Sequence, residues 1–290
     1  MPKRSLKTIG LIVKHDRPEA LEIAASLCKW FRERHKNTLV ETWVADHIDA
    51  EPVSREVIVR RADLIVVLGG DGTLLGIARK VGARETPILG INLGGLGFLT
   101  EASTHEAKQA LERVLAGDYE TDRRITLEAE VCRKSATKAR DASDRFRALN
   151  DVVFNKGPLG RMMQLEVFAD GQLFCKYRSD GLIISTPTGS TAYALSAGGP
   201  IVFPSLGVLV LAPICPHTLS NRPVVLPDSF EIEVRLKVSD QDTTLTIDGQ
   251  ESAQLTAADT VKIRRGRYAV VLIRSAHPYF EIWRNKLRWG

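Results

Sequence analysis

A chain of 290 residues, 44% hydrophobic and 26% charged, is long enough for one large core or two domains and has an ordinary globular composition. The formal charge of +5 arises from 40 basic residues interleaved with 35 acidic ones, which suits anionic small molecules and does not single out nucleic acid. No apolar run approaches the length of a membrane span, and four scattered cysteines without a CxxC pair argue for free thiols in a reducing cytoplasm and against a zinc site.

The N-terminus is basic and then apolar, but Lys14-His15-Asp16 stops the apolar stretch early. It reads as a first strand, TIGLIV, rather than a signal peptide. Pro18 then opens a helix with Glu19 in its first turn, and Ala20, Ile23, Ala24, Leu27 and Phe31 form its apolar face. Strands are expected at residues 38–44, 64–68 and 87–92, with a helix from Leu74 to about Val81. Thr104 is the expected cap of a further helix through Ala107, Leu111, Val114 and Leu115. Strands alternating with helices predict a Rossmann-like parallel sheet covered on both faces.

After about Asp122 the pattern changes. Strands are expected at 125–131, 148–154, 164–168, 173–177, 230–238, 243–247, 260–263 and 269–273, with Asp170-Gly171 as a hairpin turn. This predicts an α/β domain at 1–122 and an all-β, sandwich-like domain at 123–274, with a helical tail at 275–290 returning to the first domain. The basic stretch 133–147 has few apolar residues and reads as a solvated loop.

Three stretches carry chemistry. In Gly69-Gly70-Asp71-Gly72-Thr73, an apolar strand runs into a glycine turn and a helix at the carboxyl edge of a parallel sheet, where such sheets bind ligands. The glycine amides and the helix start suit phosphate, yet Walker lysine is missing and Asp71 sits in the turn. A carboxylate there is useful for binding a hydroxyl, accepting its proton, or facing a metal ion carried by a nucleotide. The plainer alternative is a tight turn whose aspartate caps the helix. A second loop, Gly94-Gly95-Leu96-Gly97, follows the next strand, as though two neighbouring loops lined one crevice. The third stretch, SDGLIISTPTGSTAYALSAGGP at 179–200, sets many hydroxyls and small residues at a helix start, with Tyr193 offering a ring and a hydroxyl. Cys215-Pro216-His217 is a two-ligand metal fragment without paired ligands nearby, and packing is its plainer reading.

GGDGT (69–73), LND (149–151) and the long 179–200 motif together resemble the NAD kinase family over nearly the whole chain. GGDGT alone is shared with lipid kinases of the diacylglycerol type. The resemblance implies transfer of the γ-phosphate of ATP to the 2′-hydroxyl of the adenosine ribose of NAD. It makes Asp71 the catalytic aspartate and Gly69, Gly70, Gly72 and Thr73 the phosphate loop, with Asp71 and Gly72 also touching NAD. It further implies NAD contacts from Asn150, Asp151, Arg161, Arg178, Asp180, Thr188, Thr191, Ala192, Tyr193, Ala194, Leu195, Ser196 and Gln250. Arg161 stands where relatives often have histidine, and Arg178, where some have a small residue, implies a preference for oxidised NAD. Mg²⁺ is expected with ATP, held by no residues that the sequence names. The implied partners are ATP and NAD, not nucleic acid or a membrane, and the implied assembly is a cytoplasmic homodimer or homotetramer. The alternatives are a lipid kinase of the GGDGT type and a nucleotide-binding regulatory module without turnover.

Overall fold

The stretch TIGLIV carries no charge and is closed off by Lys14 and His15, so it favours a buried extended strand. In the computed structural model, which describes residues 6–15, 17–95, 97–133, 144–157, 162–218, 220–238, 243–257, 259–274 and 279–289, it is β1 (Thr8–Val13). The chain divides into two units: Met1–Arg123 with Tyr268–Gly290, and Arg124–Arg267.

The first unit is built on β1, β2 (Asn37–Glu41), β3 (Glu51–Val53), β4 (Leu64–Leu68), β5 (Ile88–Asn92), β6 (Ala102–Ser103), β7 (Glu120–Arg124) and the late strand Val270–Arg274. The sheet order is β3-β2-β1-β4-β5, then Val270–Arg274, then β7, with β6 beside β5. All the pairings among β1 to β6, and that of the late strand with β5, are parallel. Every residue of β4 and β5 is buried, as expected of strands covered on both faces.

The helices of this unit are α1 (Pro18–Glu33), α2 (Thr42–Ala45), α3 (Arg55–Arg61), α4 (Asp71–Ala78) and α5 (Ala107–Ala116), with a last helix at Tyr279–Leu287. Ala20, Ala24, Leu27 and Phe31 of α1 share one core with Leu111 and Val114 of α5 and with Leu64, Val66 and Leu68 of β4. Ile65 and Val67 point the other way, because successive side chains alternate across a strand. Tyr279 of the last helix donates a hydrogen bond to the Asp122 carboxylate, within the same unit.

The second unit is a β-sandwich. Its strands are β8 (Leu127–Cys132), β9 (Asp144–Ala148), β10 (Asp151–Asn155), β11 (Met163–Ala169), β12 (Gln172–Ser179), β13 (Gly181–Ser185), β14 (Val208–Ile214), β15 (Val224–Pro227), β16 (Ile232–Val238), β17 (Thr243–Ile247), β18 (Glu251–Leu255) and β19 (Thr260–Arg265). They form two six-stranded antiparallel sheets, ordered β15-β14-β13-β10-β17-β18 and β12-β11-β16-β19-β8-β9. Inward residues of both sheets make one core, including Phe154, Leu182, Ile184, Leu211, Val167, Val234 and Ile263. β13 is buried on both faces: Ile183 packs outward against Ala194 of α6 (Tyr193–Ser196).

Several sequence expectations are corrected. The strand expected at 269–273 lies in the parallel sheet beside β5, not among the antiparallel strands; VVLIR is apolar on both faces and suits that place. The strand expected at 38–44 ends at Glu41, and Thr42 begins a helical turn. The strand expected at 148–154 is split, since β9 ends at Ala148 and β10 starts at Asp151. Part of the expected loop at 133–147 is strand β9, paired with β8; residues 134–143 lie outside the described set. Thr104 does not cap α5, whose flanking residue is Glu106; Glu106 instead accepts hydrogen bonds from the amide and hydroxyl of Ser103.

Candidate active site

In the first unit, β4 delivers the chain to Gly69, whose amide donates to the Ile91 carbonyl at 3.0 Å. Gly70 flanks α4 in an extended conformation, and Asp71 is the first helical residue. No side chain caps this helix, so Asp71 is not its cap. The Asp71 carboxylate reaches the second glycine loop instead, accepting from the Phe98 amide at 2.9 Å and the Leu99 amide at 3.1 Å. Gly97 makes this approach feasible, because a Cβ there would lie 2.1 Å from Asp71 Oδ1. The loop is itself pinned: Thr100 Oγ1 accepts from the Gly97 amide at 2.8 Å and from Asn92 Nδ2 at 2.9 Å.

The two glycine loops are therefore joined by the aspartate. Each carboxylate oxygen holds one amide and retains a further lone pair for a hydroxyl proton. Asp71 is partly exposed and Gly72 exposed, so this carboxylate sits at the surface of its unit. Among the described residues, no group of three or more His, Cys, Asp or Glu could hold a metal ion, and this includes Cys215 and His217.

In the second unit, Asn150 and Asp151 lie where β10 begins. The Asp248 carboxylate accepts from the amides of Leu149 at 2.9 Å, Asn150 at 2.7 Å and Asp151 at 3.0 Å. On its other side the Asn150 carbonyl accepts from the Thr186 amide at 2.9 Å and from Ser185 Oγ at 3.1 Å. Thr186 Oγ1 donates to the Leu149 carbonyl at 2.6 Å. Gly189 is needed here, since a Cβ would lie 2.3 Å from the Asn150 carbonyl oxygen. LND and TPTG thus form one bonded platform.

Thr188 on this platform is buried and accepts from Arg124 Nη1 at 3.1 Å. Thr191 Oγ1 donates to the Thr188 carbonyl at 3.3 Å. Ala194 is buried, Thr191, Ala192 and Leu195 are partly buried, Ser196 is exposed, and the Tyr193 ring is 44% exposed. Gln250 is exposed on the Asp248 turn, its amide donating to Ile247.

Arg178 and Asp180 are not part of this platform. The register pairs Asp151 with Ser185 and Asn155 with Gly181, so they lie at the far end of β13, about 13 Å away at ~3.3 Å per residue. There Asp180 is bridged to Lys156 at 2.8 Å, and Arg178 is exposed. Arg161 falls outside the described residues.

A family model of the ATP-NAD kinase N-terminal domain matches residues 9–119, and one of the ATP-NAD kinase C-terminal domain matches residues 149–275. The chain belongs to the ATP-NAD kinase family. The NAD kinases of Geobacter metallireducens and Geotalea daltonii are each 46% identical to it, over 98% of this chain and 99% of theirs. Among solved structures, yeast NADH kinase complexed with NADH superposes with a TM-score of 0.90 at 28% identity, covering 99% of this chain and 88% of that one. An NAD kinase from Archaeoglobus fulgidus in complex with ATP gives 0.76 at 26% identity, covering 97% and 98%.

In this ATP-NAD kinase family member, burial first and the Asp248 charge second push the Asp151 carboxyl up from 3.8 to about 7. Asn150 Oδ1 is buried and has no hydrogen-bond donor among the described residues. Sequence reasoning missed the role of Asp248, whose only signal was the Asp-Gly turn, and of Arg124, whose signal was nil. It also missed the Phe98 and Leu99 amides, since a backbone donor leaves no trace in a side-chain motif.

Proposed function

We propose that the chain is an NAD kinase, transferring the γ-phosphate of ATP to the 2′-hydroxyl of the adenosine ribose of NAD. The new bond joins the ribose oxygen to phosphorus, the bond between the γ- and β-phosphates breaks, and the products are NADP and ADP. The observation that carries this reading is the Asp71 carboxylate, held by two backbone amides at the head of α4 with lone pairs to spare. Asp71 orients the hydroxyl toward phosphorus and accepts its proton. Phosphoryl transfer is loose, so positioning and charge neutralisation supply most of the catalysis.

The remaining roles follow from the motifs. Gly69, Gly70, Gly72 and Thr73 approach the phosphates with backbone. Mg²⁺ enters as part of the Mg–ATP substrate, offsetting repulsion between the phosphates and Asp71. In the second unit Asn150 and Asp151 bind NAD hydroxyl and amide groups. Thr188, Thr191, Ala192, Tyr193, Ala194, Leu195 and Ser196 seat the adenosine half, Gln250 adds a polar contact, and Arg161, Arg178 and Asp180 complete the NAD contacts.

The assembly is read as a homodimer or homotetramer. β12 and β15 end their sheets and expose Leu173 by 51%, Phe174 by 36% and Val225 by 44%, which favours cover by another copy. A cytoplasmic enzyme is proposed from the scattered thiols; no helix among the described residues is long and apolar enough to cross a membrane.

The test is incubation of purified protein with ATP, Mg²⁺ and NAD, with NADP read by an NADP-specific dehydrogenase. Turnover supports the kinase. Phosphorylation of diacylglycerol without NADP would instead make it a lipid kinase, and nucleotide binding without either product would make it a regulatory module.

A further inference from the structure

We infer that Asp248 is a positioning residue of the acceptor site: by gathering the amides of Leu149, Asn150 and Asp151 it sets where the Asn150 and Asp151 side chains meet NAD. The inference rests on the NAD-binding part of the proposed reading and goes beyond it, because Asp248 itself need not touch the dinucleotide.

Three features support it. First, the convergence is unusual: three successive backbone N–H groups, drawn from 97 to 99 residues away, point at one carboxylate that is only 7% exposed. Charge-assisted bonds of this kind are roughly twice as strong as neutral ones. Second, the bonding is reciprocal. The Asp248 amide donates to the Asp151 carbonyl at 3.0 Å, so the turn and the LND segment hold each other at both ends. Third, the turn is conformationally demanding. Asp248 has φ +49 and Gly249 φ +65, and a non-glycine residue is kept in that region only where its surroundings over-determine it.

The consequence for the ligand lies in two side chains. With its backbone fixed by Asp248 on one side and by Thr186 and Ser185 on the other, Asn150 keeps its buried Oδ1 unspent. That oxygen suits a hydroxyl or amide donor of the dinucleotide. Burial raises the Asp151 carboxyl, and the nearby Asp248 charge adds to that, bringing it to about 7. Asp248 therefore sets the placement of the two residues that receive NAD and contributes to the protonation of Asp151.

The test uses the full-length protein and two variants. Asp248→Asn keeps the shape and removes the charge; it leaves at least one amide facing an amide. Asp248→Glu keeps the charge and displaces it by one methylene. Binding of NAD is measured by calorimetry, alongside KM for NAD and for ATP between pH 5.5 and 8.5. With the LND backbone no longer held in place, NAD affinity is expected to fall roughly ten- to a hundredfold, with KM for ATP within about twofold. A merely structural role would not move the pH profile. Here the bend that Asp151 produces in NAD binding moves to lower pH in Asp248→Asn, because a neighbouring negative charge is gone, and stays in place in Asp248→Glu. Unchanged NAD affinity in a folded Asp248→Asn or Asp248→Glu overturns the inference, as does a bend that ignores the loss of charge. If Asp248→Asn does not fold, the NAD affinity of Asp248→Glu decides. Since calorimetry needs no turnover, wild-type protein that binds NAD but forms no NADP would defeat the kinase reading and leave this inference standing.

Discussion

Two aspartates, one in each unit, draw backbone amides from a distant segment onto a single carboxylate. Asp71 takes two, from residues 27 and 28 positions away, while Asp248 takes three, from 97 to 99 positions away. Asp71 is partly exposed beside the exposed Gly72; Asp248 is buried in a left-handed turn. The same bonding device thus serves two ends. A carboxylate with an open side can hold a loop and still receive a hydroxyl. One that is buried and gathers three amides serves to shape its surroundings.

The sharpest way to break this comparison is Asp71→Asn. If Asp71 meets the ribose hydroxyl, kcat falls about 10²–10⁴-fold, the usual range for a lost general base. The substitution also turns an NH₂ toward the Phe98 or Leu99 amide, at a cost of about 1–3 kcal/mol. Calorimetric melting should therefore drop by a few degrees while the protein remains folded. Near-normal turnover in the presence of that drop would leave Asp71 as a loop holder only.

Gly97→Ala tests the same contact from the other side. The added Cβ must displace the Asp71 carboxylate, from which it would be 2.1 Å, and Thr100 Oγ1, from which it would be 2.6 Å. A shift of about 1 Å in a catalytic group can cost on the order of 10²-fold, so kcat should fall by that order with KM for NAD little changed. A full-rate Gly97→Ala enzyme would mean that the position of Asp71 is not critical.

The buried member of the pair predicts a pH effect. The Asp151 carboxyl, raised to about 7 by burial and by Asp248, keeps its proton in the folded state where the unfolded chain has lost it. Stability should therefore fall as pH rises from about 4 to about 7 and level off above that. Asp151→Asn removes this slope, so its melting temperature should gain on that of the wild type from pH 5 to about 7 and keep a steady margin above that. Parallel melting curves across that range would show that Asp151 does not titrate there.

The smallest effect is expected at Arg178, which the register sets apart from the Asp248 platform. Arg178→Gly should change the ratio of kcat/KM for NAD over NADH by only about two- to fivefold, a difference below ~1 kcal/mol. A tenfold or larger change would move Arg178 into the heart of acceptor recognition.

Much of the architecture could be read from local pattern. Five buried apolar residues before GGDGT, the Pro18 helix start and the Asp170-Gly171 hairpin, with φ +47 and +76, are decided by nearest neighbours along the chain. The residue types of the site were legible for the same reason: glycine turns, hydroxyls and the LND triplet are short motifs. What the local pattern left open depended on partners far away in sequence. VVLIR is apolar enough for either unit, and only its pairing with Ile88 of β5 decided for the parallel sheet. Asp71 could have capped its helix until the Phe98 and Leu99 amides drew its carboxylate away. Asp248 and Arg124 became site residues only when folding brought them to LND and Thr188. Hydrogen bonds between segments some 60 to 100 residues apart have no periodicity to betray them, because their partners are backbone amides and buried side chains whose meeting is fixed by sheet topology.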